Sequence, residues 1–142
     1  MSLKNALSGL PSIYFLPEDN IAKKVLNPGL AAAQKIKIMS GYFSTVILSD
    51  LAHGLVPFLK SSKEPLKLLI SPELSDREQQ MLRDGLLARD FGLEKIREAF
   101  QSPETLQSAL ASHSLDCLAY LFHENRLEIR VVLMKSGLFH PK

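Results

Sequence analysis

The residues best suited to chemistry stand at the end of the sequence, where His140 and Lys142 are separated by one proline. On a β-strand the side chains of residues i and i+2 point to the same face, so the imidazole and the ammonium group would be neighbours. An imidazole can attack phosphorus or transfer a proton, and an ammonium group neutralises phosphate oxygens. The pair therefore suits phosphodiester chemistry. Three-residue patterns also arise by chance, and the spacing alone favours two polar residues in a tail.

Segments with strand and helix periodicity alternate along the chain, and they must position this pair. The strand signals are alternating or continuously apolar runs at residues 36–43, Leu66–Ile70 and 127–134. Because Leu66–Ile70 is almost uniformly apolar, we expect it to be buried on both faces. After a turn at 135–137, residues 138–142 are predicted to form one more strand, paired as a hairpin with the strand before it.

Helical spacing of apolar residues fills the first two intervals. Residues 18–34 are predicted as a helix, although an Asn-Pro-Gly sequence at 27–29 should break or restart it. A second helix follows, which Ser44 or Ser49 can cap and whose later half is weakened by a glycine and a proline.

More helices are predicted before the third strand. A capping box at residues 75–78 begins a helix that extends to about Asp90, and residues 93–101 continue the helical pattern. Ser102 can cap a helix that opens on a proline and runs to about Glu124. The apolar stripe of this last helix consists of Leu106, Leu110, His113, Cys117 and Leu121.

Strands separated by helices indicate an α/β domain with a mainly parallel sheet of at least four strands and helices on both faces. The 142 residues suffice for one domain with one core. A net charge of +2 permits an anionic partner without demanding one. The chain has one cysteine, Cys117, no signal-peptide pattern and no apolar run of the ~20 residues that span a membrane. We therefore predict a cytoplasmic protein without a membrane partner.

Three stretches resemble a known family when they are taken together and in order. They are Ile-Lys-Ile-Met-Ser-Gly-Tyr-Phe-Ser at 36–44, Leu-Leu-Ile-Ser-Pro-Glu-Leu at 68–74, and Ile-Arg-Val-Val-Leu at 129–133 leading to Phe-His-Pro-Lys at 139–142. This arrangement is similar to the N-terminal half of a phospholipase D-like nuclease domain, found in some restriction endonucleases and ahead of some helicases. The resemblance runs from about residue 18 to the end.

The family signature is His-x-Lys, four further residues and an Asp, followed later by Gly-Ser-x-Asn. The chain carries His140 and Lys142 and ends before the Asp position. We therefore interpret residues 1–142 as a single phospholipase D-like domain that is incomplete at its C-terminus, the first part of a longer helicase or restriction protein.

The resemblance implies a metal-independent phosphodiesterase, most simply a nuclease acting on DNA, that uses no cofactor. His140 would be the nucleophile that forms a phosphohistidine, or else the acid that protonates the leaving oxygen. Lys142 would stabilise the pentacovalent phosphorus by its charge. Two His-x-Lys motifs are normally needed, so a second must come from a dimer mate or from downstream sequence.

Other polar residues have weaker claims. Tyr42, Ser44 and Ser71 follow predicted strands and could line a phosphate site as substrate-binding residues, since ligands gather at the carboxyl ends of parallel strands. Tyr42 could equally pack against neighbours, and a following proline explains the strand end at Ser71. His113 is interpreted as a core or rim residue and Cys117 as an inert buried thiol. The scattered lysines are interpreted as a solvated surface.

A non-catalytic module that binds nucleic acid, and helps a neighbouring helicase to dock, remains the alternative function. Lipid cleavage ranks lower, because no membrane-binding face is evident. The 142-residue chain itself is expected to fold but to be inactive. A terminal carboxylate on Lys142 would offset the charge of that lysine, and His140 would lack the orienting Asp.

Overall fold

The computed structural model describes residues 2–41, 47–71, 93–132 and 135. Helices and strands alternate in these ranges. In chain order they are α1 Leu3–Ala6, a π-helical turn Ala22–Leu26, α2 Asn27–Ala32, β1 Lys37–Ser40, α3 Ile47–Asp50, α4 Ala52–Ser61, β2 Leu66–Ile70, α5 Leu93–Ala99, α6 Pro103–His123 and β3 Leu127–Val131.

The three strands form a parallel sheet in the order β1-β2-β3. Lys37 pairs with Lys67, and Lys67 in turn pairs with Glu128, so the three strands are aligned in cross-strand rows. The predicted α/β class and parallel sheet are thus confirmed. β2 has the predicted bounds, whereas β1 and β3 end earlier than expected. The further strand predicted at 138–142 and the helix predicted at 75–90 lie outside the described residues.

The described helices pack against the face of the sheet that carries Leu66, Leu68 and Ile70. The expectation of helices on both faces stays a prediction, because residues 72–92 lie outside the described residues. Both steps along the sheet go in the same direction, and the right-handed crossover rule then predicts both connections on the same side. Helices on both faces would require a strand order that reverses. The prediction that β2 is buried on both faces was wrong, because only alternate residues of β2 are fully buried.

The core lies between the covered face and the helices. Leu66, Leu68 and Ile70 of β2 have at most 1% of their surface exposed. They belong to one hydrophobic cluster with residues of the helices: Leu48, Leu51, Ala52, Leu55, Val56, Phe58, Leu106, Leu110, Cys117, Leu118 and Leu121. Burial of this apolar surface is the main stabilising contribution to the domain.

Helix α4 is held at both ends by side chains from distant parts of the chain. At its start, the Gly54 N–H donates to Asn27 Oδ1 at 2.7 Å, and Asn27 Nδ2 donates to the Asp50 carbonyl at 2.7 Å. At its end, the Arg126 guanidinium donates to the carbonyl oxygens of Leu59 and Ser62 at 3.0 and 2.6 Å. Helix ends leave such backbone groups without intrahelical partners, so these bonds tie α2 and β3 to α4.

The Asn-Pro-Gly sequence at 27–29 restarts a helix, as expected, rather than ending it. The π-helical turn Ala22–Leu26 leads directly into α2, which carries its proline in the first turn. A proline has no N–H to donate to the preceding turn, and the wider π geometry accommodates its ring. The chain therefore remains helical through this point and brings Asn27 against α4.

The long helix α6 begins as predicted and is interrupted at His113. Ser102 Oγ accepts from the Thr105 N–H at 3.2 Å, and the Ser102 N–H donates to Thr105 Oγ1 at 3.3 Å. His113 has φ −137° and ψ 43°, which lies outside the helical region and kinks the helix. The apolar stripe still reaches the core on both sides of the kink, through Leu110 and Cys117.

We expect Gly54→Ala to destabilise the domain by about 1–3 kcal/mol, because overpacking forces the backbone to shift. An added Cβ would lie 2.7 Å from both the Asn27 carbonyl oxygen and Leu30 Cβ. The matched control is Gly29→Ala in α2, where the nearest atom, Leu7 Cδ2, is 3.6 Å away. That change should be neutral or stabilise by about 0.5–1 kcal/mol. Urea unfolding of both variants measures the difference, and equal stabilities would refute the close α2–α4 contact.

Candidate functional site

The carboxyl ends of the three parallel strands meet at one edge of the sheet. The hydrogen-bond ladder continues past the strands there, because the Ser71 N–H donates to the Ser40 carbonyl at 3.2 Å and the Val132 N–H donates to the Ile70 carbonyl at 2.9 Å. Ser71 is 4% exposed, and Gly41 beside it is also buried. This carboxyl edge is where open α/β sheets generally bind ligands.

Among the predicted site residues, Ser71 is the one that lies within the described ranges, and its position at the carboxyl edge agrees with the strand end expected from the sequence. Tyr42, Ser44, His140 and Lys142 lie outside the described residues. Their grouping around a phosphate therefore stays a prediction. The described part of the edge consists of backbone groups and the side chains of Ser40 and the buried Ser71, and it contains no histidine that could act as the nucleophile.

The sheet face opposite the helices is a second feature, and it was not predicted from the sequence. Its side chains come from alternate positions of the three strands. This open face consists of Lys37, Met39, Lys67, Leu69, Glu128 and Arg130. Met39 is 54% exposed although it lies on a strand, which shows that no described element covers it. The period-two alternation of Lys67, Glu128 and Arg130 with apolar residues was a usable signal.

Charged groups dominate the open face. Glu128 is bonded to both neighbouring cations, with Oε2 3.2 Å from Lys67 Nζ and Oε1 2.7 Å from Arg130 Nε. The bond to Lys67, followed by the bond to Arg130, lowers the pKa of the Glu128 carboxyl below its usual value. Lys37 makes no ion pair with any described residue, so its charge is available to an incoming anion.

Two depressions of about 270 and 110 Å³ lie on and beside the open face. Lys37 and Lys67 line both of them, so the two depressions adjoin at these lysines. Lys35 also lines the smaller depression, with its Nζ 3.8 Å from Glu64 Oε1. The charged side chains of the combined lining are four cations, Lys35, Lys37, Lys67 and Arg130, and two carboxylates, Glu64 and Glu128.

Two further residues singled out from the sequence, His113 and Cys117, lie on α6. His113 lies at the α6 kink with Nδ1 3.7 Å from Asp116 Oδ2, and its side chain is 41% exposed, which agrees with a rim position. Cys117 is fully buried, and burial, with a contribution from Asp116, raises the pKa of its thiol to about 12. No group of three or more His, Cys, Asp or Glu side chains in the described ranges is arranged to hold a metal ion.

Comparison with known protein families, with curated proteins and with solved structures found no match to this chain. In the part of the chain that the structure describes, no helix is both long enough and apolar enough to cross a membrane.

The Cys117 thiol should not react with Ellman's reagent at pH 8 in the folded protein and should react at once after unfolding in urea. Its pKa is raised from 9.0 to about 12 by burial, so the unfolded chain loses this proton first as the pH rises. The contribution of the Cys117 thiol to the free energy of unfolding is therefore fully present below about pH 9 and is lost as the pH approaches 12. Rapid reaction of the folded protein would contradict the burial.

Proposed function

We propose that this chain contributes one half of a metal-independent phosphodiesterase site that acts on DNA, with His140 as the nucleophile. Strand direction supports this most directly. β3 runs parallel to β1 and β2, so its carboxyl end reaches the same edge as Ser40 and Ser71. The sequence that follows β3 contains the His-x-Lys motif, with His140 eight positions after Val132 in the sequence.

The proposed reaction has two steps. An imidazole nitrogen of His140 attacks phosphorus, a P–N bond forms, and the bond from phosphorus to the leaving sugar oxygen breaks while a second histidine donates a proton to that oxygen. Water then attacks phosphorus and gives its proton to the second histidine, and the P–N bond breaks, which releases the phosphate ester and regenerates the His140 imidazole. Lys142 stabilises the charge on the non-bridging oxygens in both steps.

The second histidine must come either from a second copy of the chain or from sequence downstream of Lys142. In a homodimer each copy would supply one His-x-Lys motif, which is how a single motif could serve both roles. The resemblance also implies an Asp and a Gly-Ser-x-Asn beyond Lys142. The cleavage assay therefore uses the polypeptide encoded by the whole open reading frame.

A nucleic-acid-binding module without catalytic activity is the second candidate, and the open face favours it. Lys37, Lys67 and Arg130 give this face a positive charge without any contribution from the motif at the carboxyl edge. The two candidates differ in whether bound DNA is cleaved.

We expect that polypeptide to nick supercoiled plasmid in EDTA, and His140→Ala to reduce the rate at least about 10³-fold, because the covalent route is lost. His123→Ala is the matched control, since His123 lies at the exposed end of α6 and should leave the rate unchanged. Binding without nicking would favour the second candidate. Full activity of His140→Ala, or loss of activity in EDTA, would refute the mechanism.

A further inference from the structure

We propose that the open face of the sheet binds the phosphate backbone of nucleic acid and guides it to the carboxyl edge. This inference rests on the proposed DNA substrate and identifies the surface that would hold it. The face carries three cations, Lys37, Lys67 and Arg130, against one carboxylate, Glu128. Phosphate contacts of this kind bind without regard to base sequence.

The arrangement of the charges fits a linear polyanion. Lys37 and Lys67 are direct cross-strand partners on adjacent strands, and strands lie about 4.8 Å apart. Arg130 lies one row closer to the carboxyl edge, two residues along β3 from Glu128. The cations therefore spread across the sheet and along it, whereas a single small anion would need them to converge on one point.

The charges on the open face also argue against two other occupants, a second copy of the chain and a membrane surface. A second copy of the chain would bring the same three cations against themselves, which is unfavourable. A membrane surface would need protruding apolar groups, and the apolar side chains of the open face are Met39 and Leu69 within the sheet itself. Binding of a nucleic acid backbone requires neither a self-complementary charge pattern on this face nor protruding apolar side chains.

The open face leads to the place where cleavage is proposed. Ser71 is four residues beyond Lys67 on the same chain, which corresponds to about 13 Å along an extended strand. A backbone bound at Lys37 and Lys67 thus passes within a few nucleotides of the carboxyl edge. The sequence alone indicated that the surface lysines are solvated. We propose that they bind the nucleic acid backbone, because the strand register brings Lys37 and Lys67 together.

Glu128 is the carboxylate of the open face, and its replacement provides a test of DNA binding there. Its carboxylate already contacts Lys67 and Arg130, so it competes with phosphate for both cations. Replacing it by Gln keeps the shape and removes the charge. We expect Glu128→Gln to bind DNA more tightly than the unmodified chain, a gain that misfolding could not produce.

The test is fluorescence anisotropy of a fluorescein-labelled 20-nucleotide DNA, single-stranded and as a duplex, titrated with the 142-residue chain at several salt concentrations. We expect Lys37→Glu to weaken binding about tenfold and to reduce the slope of log K against log salt by about 1. The matched control is Lys95→Glu, which makes the same charge change at an exposed position of α5 in the helix layer and should change neither quantity.

Several outcomes would overturn the inference. For the unmodified chain, they are the absence of DNA binding, or binding to phosphatidylserine vesicles in place of DNA. Among the variants, they are an equal change of DNA affinity in Lys37→Glu and Lys95→Glu, or weaker DNA binding by Glu128→Gln than by the unmodified chain. Circular dichroism of each variant confirms that the fold is retained. Failure of the nicking assay with these binding results intact would refute catalysis and leave the DNA surface standing, so the two proposals fail separately.

Discussion

Strand β2 is hydrogen-bonded on both sides, to β1 and to β3, and the described fold depends on this central position. Because the chain steps across the sheet in one direction, the right-handed crossover rule predicts both connections on the same face, and the described helices pack on the face that carries Leu66, Leu68 and Ile70. Leu66, Leu68 and Ile70 must then point into the helix layer, and the intervening Lys67 and Leu69 must point away from it. The apolar core and the cationic open face are thus two consequences of the same topology.

Helix α4 links the sheet to the rest of the helix layer. The absence of a side chain at Gly54 lets α2 approach α4 closely enough for Asn27 to bond both Gly54 and the carbonyl of Asp50. Arg126 closes the other end of α4 immediately before β3 begins. A helix capped in this way by remote residues fixes where β3 enters the sheet, and therefore fixes the rows that bring Lys67, Glu128 and Arg130 together.

Local signals predicted much of this fold. The cap at Ser102 and the parallel α/β order followed from hydrogen-bonding chemistry and periodicity, and both are confirmed. The apolar run of β2 was misleading, since Leu69 is half-buried between Met39 and Arg130 in its row rather than under a helix. Strand order decides that difference, and no local pattern encodes strand order. Of the site, Ser71 lies at the expected edge, while the roles of His140 and Lys142 stay predictions.

We infer that the open face is a nucleic-acid surface, and DNA-dependent protection of a thiol placed on that face is a direct test. Met39→Cys puts a reactive group in the middle of the face, Phe122→Cys puts one at a similarly exposed position on α6, and the native Cys117 is buried. Maleimide labelling of each variant is followed with and without the 20-nucleotide duplex. We expect DNA to slow labelling at position 39 and to leave the labelling rate at position 122 unchanged. Equal labelling rates at position 39 in both conditions would contradict this inference.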